Sequence, residues 1–204
     1  MKRTLRGLGA LALGAALWGC SDPEPQPEPG PGPAAGIEDG GAGDPAGLEA
    51  FETVYAVLTH PRCMNCHPAG DRPLQHDASV PHALNVQRGP DDAGRVGMRC
   101  TTCHSQANHD QPHLPPGSPV WRLAPRAQAF EGKSPRELAL QLKDPAQVHM
   151  TGEELVAHVR DDALVGWGWN PGPGRSPVPV AREDFVAAFN AWLAAEAPVP
   201  QEDE

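Results

Sequence analysis

The feature that most constrains this chain is a five-residue pattern that occurs twice, at residues 63–67 and 100–104. In both copies two residues separate a pair of cysteines and a histidine follows directly: Cys63-Met64-Asn65-Cys66-His67 and Cys100-Thr101-Thr102-Cys103-His104. At this spacing two thiols can add across the vinyl groups of one haem while the histidine binds the iron from one face. The two copies therefore predict two covalently bound haems, anchored by Cys63, Cys66, Cys100 and Cys103.

Paired cysteines also occur in zinc sites and in thiol redox motifs. A four-cysteine zinc site usually separates its two pairs by about 15–20 residues, whereas 33 residues lie between Cys66 and Cys100. Zinc would explain the cysteines but not the histidine after each pair. A thioredoxin-like motif needs a strand and a helix around one pair, but proline, glycine and polar residues surround both. The pattern favours haem and leaves a zinc-binding structural surface lipoprotein as an alternative.

With these motifs the chain resembles the c-type cytochromes. The resemblance covers ten residues of 204 and implies electron transfer outside the cytoplasm, with His67 and His104 as the proximal iron ligands. It also implies a small, cytochrome c-like dihaem domain built around its covalent haems. Three stretches further resemble small exported proteins described as subunits of an isoquinoline-type oxidoreductase: HPRCMNCHPAGDRPLQHD, GMRCTTCHSQAN and WGWNPGPGR. This second resemblance spans most of residues 60–195 and implies a molybdenum hydroxylase as redox partner.

The N-terminal residues have the layout of an export signal. Residues 1–19 contain three basic and no acidic residues, and their apolar run from Leu8 to Trp18 is too short to span a bilayer stably. The segment ends in Leu17-Trp18-Gly19-Cys20, which resembles the bacterial lipobox and implies acylation of Cys20; the alternative is an ordinary signal peptide with a chance cysteine. Ser21 follows the cysteine, which resembles the pattern of an outer-membrane lipoprotein facing the periplasm. One lipid and two haems would then use all five cysteines.

Composition divides the rest of the chain. Residues 20–44 are mostly proline, glycine, alanine and acidic residues, which predicts an extended linker because such a segment cannot bury enough apolar surface to offset its ordering entropy. Residues 45–197 are the predicted dihaem domain, and residues 198–204 an acidic tail.

Without residues 1–19, 13 of the 16 Lys and Arg remain against 26 Asp and Glu. This excess of negative charge disfavours nucleic acid as a partner and favours a basic redox protein.

Helical patterns dominate this domain. Asp44-Pro45 predicts a helix start, and the apolar stripe that follows predicts a helix to about Thr59 that packs against the first haem. Two capping boxes, beginning at Ser134 and Thr151, predict further helices, and apolar residues from Phe185 to Leu193 predict a final one. Alternating strand patterns of useful length are absent from the sequence, so we expect a mostly α fold with long irregular loops.

The second axial ligands of the two irons are harder to assign. His82 is the first candidate for the first haem, because it lies in a loop fifteen residues after His67 and can fold back over the ring. His158 lies beside the apolar face of a predicted helix, a rigid placement that suits an axial ligand. His60 precedes Cys63 by three residues and would reach the other haem more easily than its own. Each of the three could equally be an ordinary surface or loop histidine.

The motifs predict periplasmic electron transfer by a membrane-anchored dihaem cytochrome that passes electrons between its haems and a redox partner. The alternative from a different class is a dihaem enzyme or gas sensor in which one haem keeps an open distal face, as in dihaem peroxidases. The sequence contains no recognisable arginine–glutamate pair that would serve such an enzyme, and we assign no catalytic residues. Carbon monoxide and cyanide distinguish the two, because only an open iron binds them rapidly.

Overall fold

The computed structural model describes residues 43–202. These residues are mostly helical with long irregular loops, so the predicted mostly α architecture is confirmed. They form seven α-helices, at Pro45–Leu58 (α1), Pro61–Met64 (α2), Pro135–Lys143 (α3), Pro145–Val148 (α4), Gly152–Asp161 (α5), Ala163–Gly166 (α6) and Arg182–Ala194 (α7). They also form four short strands, at Leu74–Gln75 (β1), Val80–Pro81 (β2), Gly94–Arg95 (β3) and Met98–Arg99 (β4).

The predicted export signal, the lipidation site at Cys20 and nearly all of the 20–44 linker lie outside the described residues. Within residues 43–202, no helix has both the length and the apolar character needed to cross a membrane.

The longer helices begin where their sequence caps predict. The side chain of Asp44 accepts a hydrogen bond from the Ala46 amide at the start of α1, and the helix ends one residue before Thr59. Both predicted capping boxes are formed, by Ser134 with Glu137 at α3 and by Thr151 with Glu154 at α5. The predicted final helix is α7. Local side-chain-to-backbone bonds therefore define most of the helical framework.

An aromatic cluster between α1 and α7 forms the centre of the hydrophobic core. The ring centre of Phe51 lies 4.9 Å from that of Trp192, and Phe189 lies 5.6 Å from Trp192 on its other side. Apolar residues of α3 and α5 complete this core. The stripe of α1 therefore packs against α7. The first motif adjoins the core at its edge, where Cys63 contacts it.

The segment after α7 is packed against the domain. Ala197 is buried, and the indole of Trp192 donates a hydrogen bond to the carbonyl of Pro198 at 3.0 Å. The side chain of Pro198 lies so close to Gly47 of α1 that a Cβ on that glycine would collide with it. The packed chain thus continues beyond the expected boundary at residue 197.

Two small antiparallel hairpins lie in the loop between the two motifs. In the first, Leu74 of β1 is paired with Pro81 of β2, and in the second Gly94 of β3 is paired with Arg99 of β4. Strand β4 leads directly into Cys100. Strands of two residues are too short to produce an alternating pattern, which is why the sequence does not predict them.

Candidate functional site

Both motifs close the same backbone turn. The amide of Cys66 donates a hydrogen bond to the carbonyl of Cys63 at 3.1 Å, and the amide of Cys103 donates to the carbonyl of Cys100 at 3.2 Å. Residues three apart in such a turn lie on the same side of the backbone. Each motif can therefore present its two thiols to one face of a ligand, with the histidine next in the chain. All four of these cysteines are free thiols.

His67 is fixed by two contacts from a loop more than sixty residues downstream. Its Nδ1 lies 2.6 Å from the carbonyl oxygen of Gln128, and its ring stacks on that of Phe130 with ring centres 3.7 Å apart and planes inclined by 5°. The carbonyl of His67 also accepts a hydrogen bond from the Phe130 amide at 2.8 Å. An Nδ1–H donated to a carbonyl leaves the Nε2 lone pair available for a metal ion.

His104 has a second environment of the same kind, built from different residues. Its Nδ1 lies 2.7 Å from the carbonyl oxygen of Pro116, and its ring stacks on Trp121 with centres 4.3 Å apart and planes inclined by 10°. Trp121 in turn meets Trp167 edge to face at 5.1 Å. The two motif histidines therefore share one arrangement: a carbonyl at Nδ1, a stacked aromatic ring and a free Nε2.

Burial sets the protonation states of the two motif histidines and of the first cysteine pair. It lowers the pKa of His67 and that of His104 to about 4, although the hydrogen bonds to Gln128 and Pro116 oppose it in part. Both imidazoles are thus neutral near pH 7, as metal ligands must be. Burial also raises the pKa of the Cys63 thiol to about 12 and that of Cys66 to about 11. In the ligand-free chain these thiols are therefore protonated near pH 7.

Within residues 43–202, no three side chains of the His, Cys, Asp or Glu type are placed to share one metal ion.

A cavity of about 480 Å³ lies against the second motif. The three stretches singled out in the sequence all contribute to its wall: Cys66 from the first, Cys100, Cys103 and His104 from the second, and Trp167 and Arg175 from the third. Apolar side chains such as Leu74, Leu84, Leu114 and Leu123 cover much of the rest. Because Cys66 belongs to the first motif, the two motifs meet at this cavity.

The cavity wall carries positive charge and no negative charge. Four arginines line it, and no aspartate or glutamate does: Arg62, Arg99, Arg122 and Arg175. The side chain of Arg62 is only 3% exposed; its Nη2 binds Asp77, but its Nε has no hydrogen-bond partner among the described residues. Burial lowers the pKa of Arg175, and the nearby positive charge of Arg62 lowers it further.

This donor set fits a haem. An apolar wall suits the macrocycle, two thiols and an imidazole suit its covalent and iron attachment, and the guanidinium groups of the wall suit carboxylates such as its propionates. An orphaned polar atom on a buried arginine is otherwise costly. In a chain with an excess of acidic residues, a cavity of this charge indicates an anionic ligand with a large apolar body.

The structure places His82 beside the second motif and not beside the first. The ring centres of His82 and His104 are 6.2 Å apart with planes inclined by 60°, and both residues line the cavity. The sequence-based pairing of His82 with His67 therefore differs from the structure. His82 follows the β1–β2 hairpin directly, and its amide donates a hydrogen bond to the carbonyl of Pro73 at 2.8 Å, which fixes where the chain leaves the hairpin.

The other two candidates occupy distinct positions. His158, on α5, lies near enough to His67 to contribute to the lowering of its pKa, and its Nδ1 is 3.8 Å from a carboxylate oxygen of Asp162. His60 is the N-cap of α2, where its Nδ1 accepts a hydrogen bond from the Arg62 amide at 3.2 Å. In the neutral ring that bond leaves a proton on Nε2, so His60 is poorly prepared to bind a metal ion.

Several residues of the site were not predicted from the sequence. No pattern marked Phe130 and Trp121 as the stacking partners, because they follow their motifs at unrelated distances in loops. Arg62 could have been noticed, since it is a charged residue directly before Cys63 and inside a short helix. Trp167 and Arg175 lie in a stretch that carried the second resemblance, although no role was assigned to either.

No family model matches the chain, and the searches of curated proteins and of solved structures also found no match. The site's chemistry therefore has to be inferred from its own geometry.

Proposed function

We propose that the protein is a dihaem c-type cytochrome that transfers electrons outside the cytoplasm. The observation that carries the proposal is the matched setting of His67 and His104. Two separate parts of the chain hold a histidine in the same tautomer, stacked on an aromatic ring, directly after two thiols on one side of a turn. A structural histidine does not need a fixed tautomer and a stacked aromatic ring together, whereas an axial iron ligand benefits from each of these two features.

Each haem, when bound, supplies an iron that takes up one electron and releases it again. The chain's residues set the conditions for that exchange. Each thiol of a motif adds its S–H across one vinyl group, which needs no oxidant and fixes the orientation of the ring. The motif histidine binds the iron, and the low-dielectric wall with its arginines influences how easily the iron is reduced.

The contact between the motifs supports transfer within the molecule. Cys66 of the first motif lies in the wall of the cavity that adjoins Cys100 and Cys103. Two haems attached at these positions would be close neighbours. The protein would then accept an electron at one haem and deliver it from the other to a partner of basic surface, for which a molybdenum hydroxylase is one candidate. Acylation at Cys20 would hold it at the outer membrane, facing the periplasm.

Mass spectrometry of the exported protein, with a haem stain of a denaturing gel, tests the proposal. We expect the mass of two haems per chain, retained after denaturation because the bonds are covalent. The matched double variants Cys63→Ser/Cys66→Ser and Cys100→Ser/Cys103→Ser should each retain one haem. Four free thiols without added tetrapyrrole mass in the wild-type protein would refute the proposal.

A further inference from the structure

We propose that His82 is the second axial ligand of the iron bound by His104, so that the second haem has two histidine ligands and no open face. The inference rests on the proposed function, because it requires a haem at the second motif. It deepens that function by stating which haem is closed to external ligands and by which residue.

The separation of the two rings matches a shared iron. A metal ion between two imidazoles lies about 2 Å from each nitrogen, and each ring centre lies roughly one bond length further back, so the ring centres are about 6 Å apart. The ring centres of His82 and His104 are 6.2 Å apart. Stacked rings, such as those of His104 and Trp121 at 4.3 Å, lie closer, whereas edge-to-face pairs in this chain reach 5.1–6.0 Å. The gap between the two histidines borders the cavity, where a macrocycle can enter.

Both rings also have the tautomer that such a site needs. The Nδ1 of His82 lies 2.9 Å from the carbonyl oxygen of Ala83, as the Nδ1 of His104 lies 2.7 Å from that of Pro116. With both Nδ1–H groups donated to carbonyls, each ring keeps the lone pair on Nε2. Each Nδ1 thus has a partner that would stay in place when iron binds on the other side of the ring.

Hydrogen bonds hold the backbone of His82 at both its amide and its carbonyl group. Its amide donates to the carbonyl of Pro73 at 2.8 Å, across the hairpin, and its own carbonyl accepts from Nε of Arg72 at 2.8 Å. A ligand on an otherwise irregular loop is thereby given a fixed position, which an axial ligand requires.

Two other histidines line the same cavity and provide the comparison. His76 lies in the turn of the hairpin with a φ of 64°, and His113 lies in the exposed loop before Pro116. Among the described residues His82 is the histidine whose ring faces that of His104. His113 is therefore a suitable control, since its removal also alters the cavity wall without removing the proposed ligand.

The test compares His82→Ala with His113→Ala and the wild-type holoprotein, each with its haem content measured by mass. For His82→Ala we expect one additional carbon monoxide bound per chain in the reduced state and a new high-spin signal in the oxidised state. Added imidazole should restore the low-spin spectrum, which a merely structural role of His82 would not predict. His113→Ala should bind no more carbon monoxide than the wild type.

A second variant keeps the test decisive if His82→Ala folds poorly. In His82→Met the thioether favours ferrous iron, so one haem should shift to a higher reduction potential while it stays six-coordinate. A His82→Ala protein with two haems and an unchanged spectrum, an unchanged potential in His82→Met, or an opened iron in His113→Ala would each overturn the inference. A wild-type protein without haem would instead refute the proposed function.

Discussion

Each motif histidine is constrained by two partners before any metal is considered. The carbonyl at Nδ1 selects the tautomer and increases the electron density of the ring, while the stacked aromatic ring restricts its rotation. His67 and His104 obtain these partners from loops that are unrelated in sequence, at Gln128–Phe130 and at Pro116–Trp121. At the scale of single residues, the site is therefore defined as much by these loops as by the motifs.

Replacement of a stacking ring should affect one haem at a time. In Trp121→Leu, His104 loses its aromatic partner at 4.3 Å, so we expect a changed spectrum and reduction potential for the second haem and a loss of stability of about 1–3 kcal/mol. Phe130→Leu is the matched variant for His67 and should change the other haem. Potentiometric titration followed by visible spectroscopy separates the two. Equal changes at both haems in either variant would contradict this assignment.

The buried charge of Arg62 should favour the reduced iron. Its side chain is 3% exposed and lines the cavity, so its positive charge is poorly screened there. In Arg62→Gln we expect the potential of the adjacent haem to fall, by an interaction on the order of 1 kcal/mol. Arg99→Gln is the control, since Arg99 also lines the cavity and is likewise paired with an aspartate, Asp91, but is 41% exposed. A larger fall in the control would show that burial is not the deciding factor.

At the scale of elements, the sequence predicts features that depend on local signals better than features that depend on tertiary contacts. The starts of α1, α3 and α5 were predicted because a cap is a bond between residues two or three apart in the chain. The two hairpins were not predicted, because two paired residues leave no periodicity. His82 directly follows β2, so the position of its ring beside His104 belongs to a part of the fold that the sequence did not predict.

The loop that carries the Pro116 carbonyl should tolerate little change. A Cβ on Gly117 would collide with the backbone oxygens of Ala107 and Ser105. We expect Gly117→Ala to displace the loop, with a loss of stability of about 1–3 kcal/mol, and to weaken the hydrogen bond at Nδ1 of His104. Thermal unfolding and the potential of the second haem measure both effects.

Gly70→Ala is the matched control for this prediction, because its Cβ would meet nothing closer than the Arg72 amide nitrogen at 4.0 Å. It should leave stability and both potentials nearly unchanged. If Gly117→Ala behaved in the same way, the loop would not be held as tightly as the contacts indicate.

At the scale of the whole molecule, the domain has two interiors. The aromatic cluster of α1 and α7 is an ordinary protein core, more complete than the few aromatic residues of the sequence suggested. The cavity is a second interior, lined by residues from loops far apart in the chain. The sequence predicted the motifs and the four longer helices, α1, α3, α5 and α7, which depend on local signals. It could not predict which loops meet, because contacts such as that of Trp167 with Trp121 leave no mark on residue spacing.

The overall acidity should control encounters with redox partners. Because acidic residues outnumber basic ones, a cationic electron donor should reduce the protein fastest at low ionic strength and lose roughly tenfold or more in rate as salt is raised to physiological strength. An anionic donor of similar potential is the control and should show the opposite trend. Stopped-flow reduction measures both. Rates independent of salt for both donors would argue against electrostatic steering.

The depth of the first cysteine pair has a consequence for biogenesis. Cys63 adjoins the helical core, and burial keeps both thiols of the first motif protonated, whereas Cys103 is exposed. If the two haems are bound as proposed, attachment at Cys63 would have to reach a thiol that adjoins the helical core, whereas attachment at Cys103 would take place on an exposed thiol. We would then expect the first motif to receive its cofactor before α1 and α7 pack, and the second motif to accept one afterwards as well.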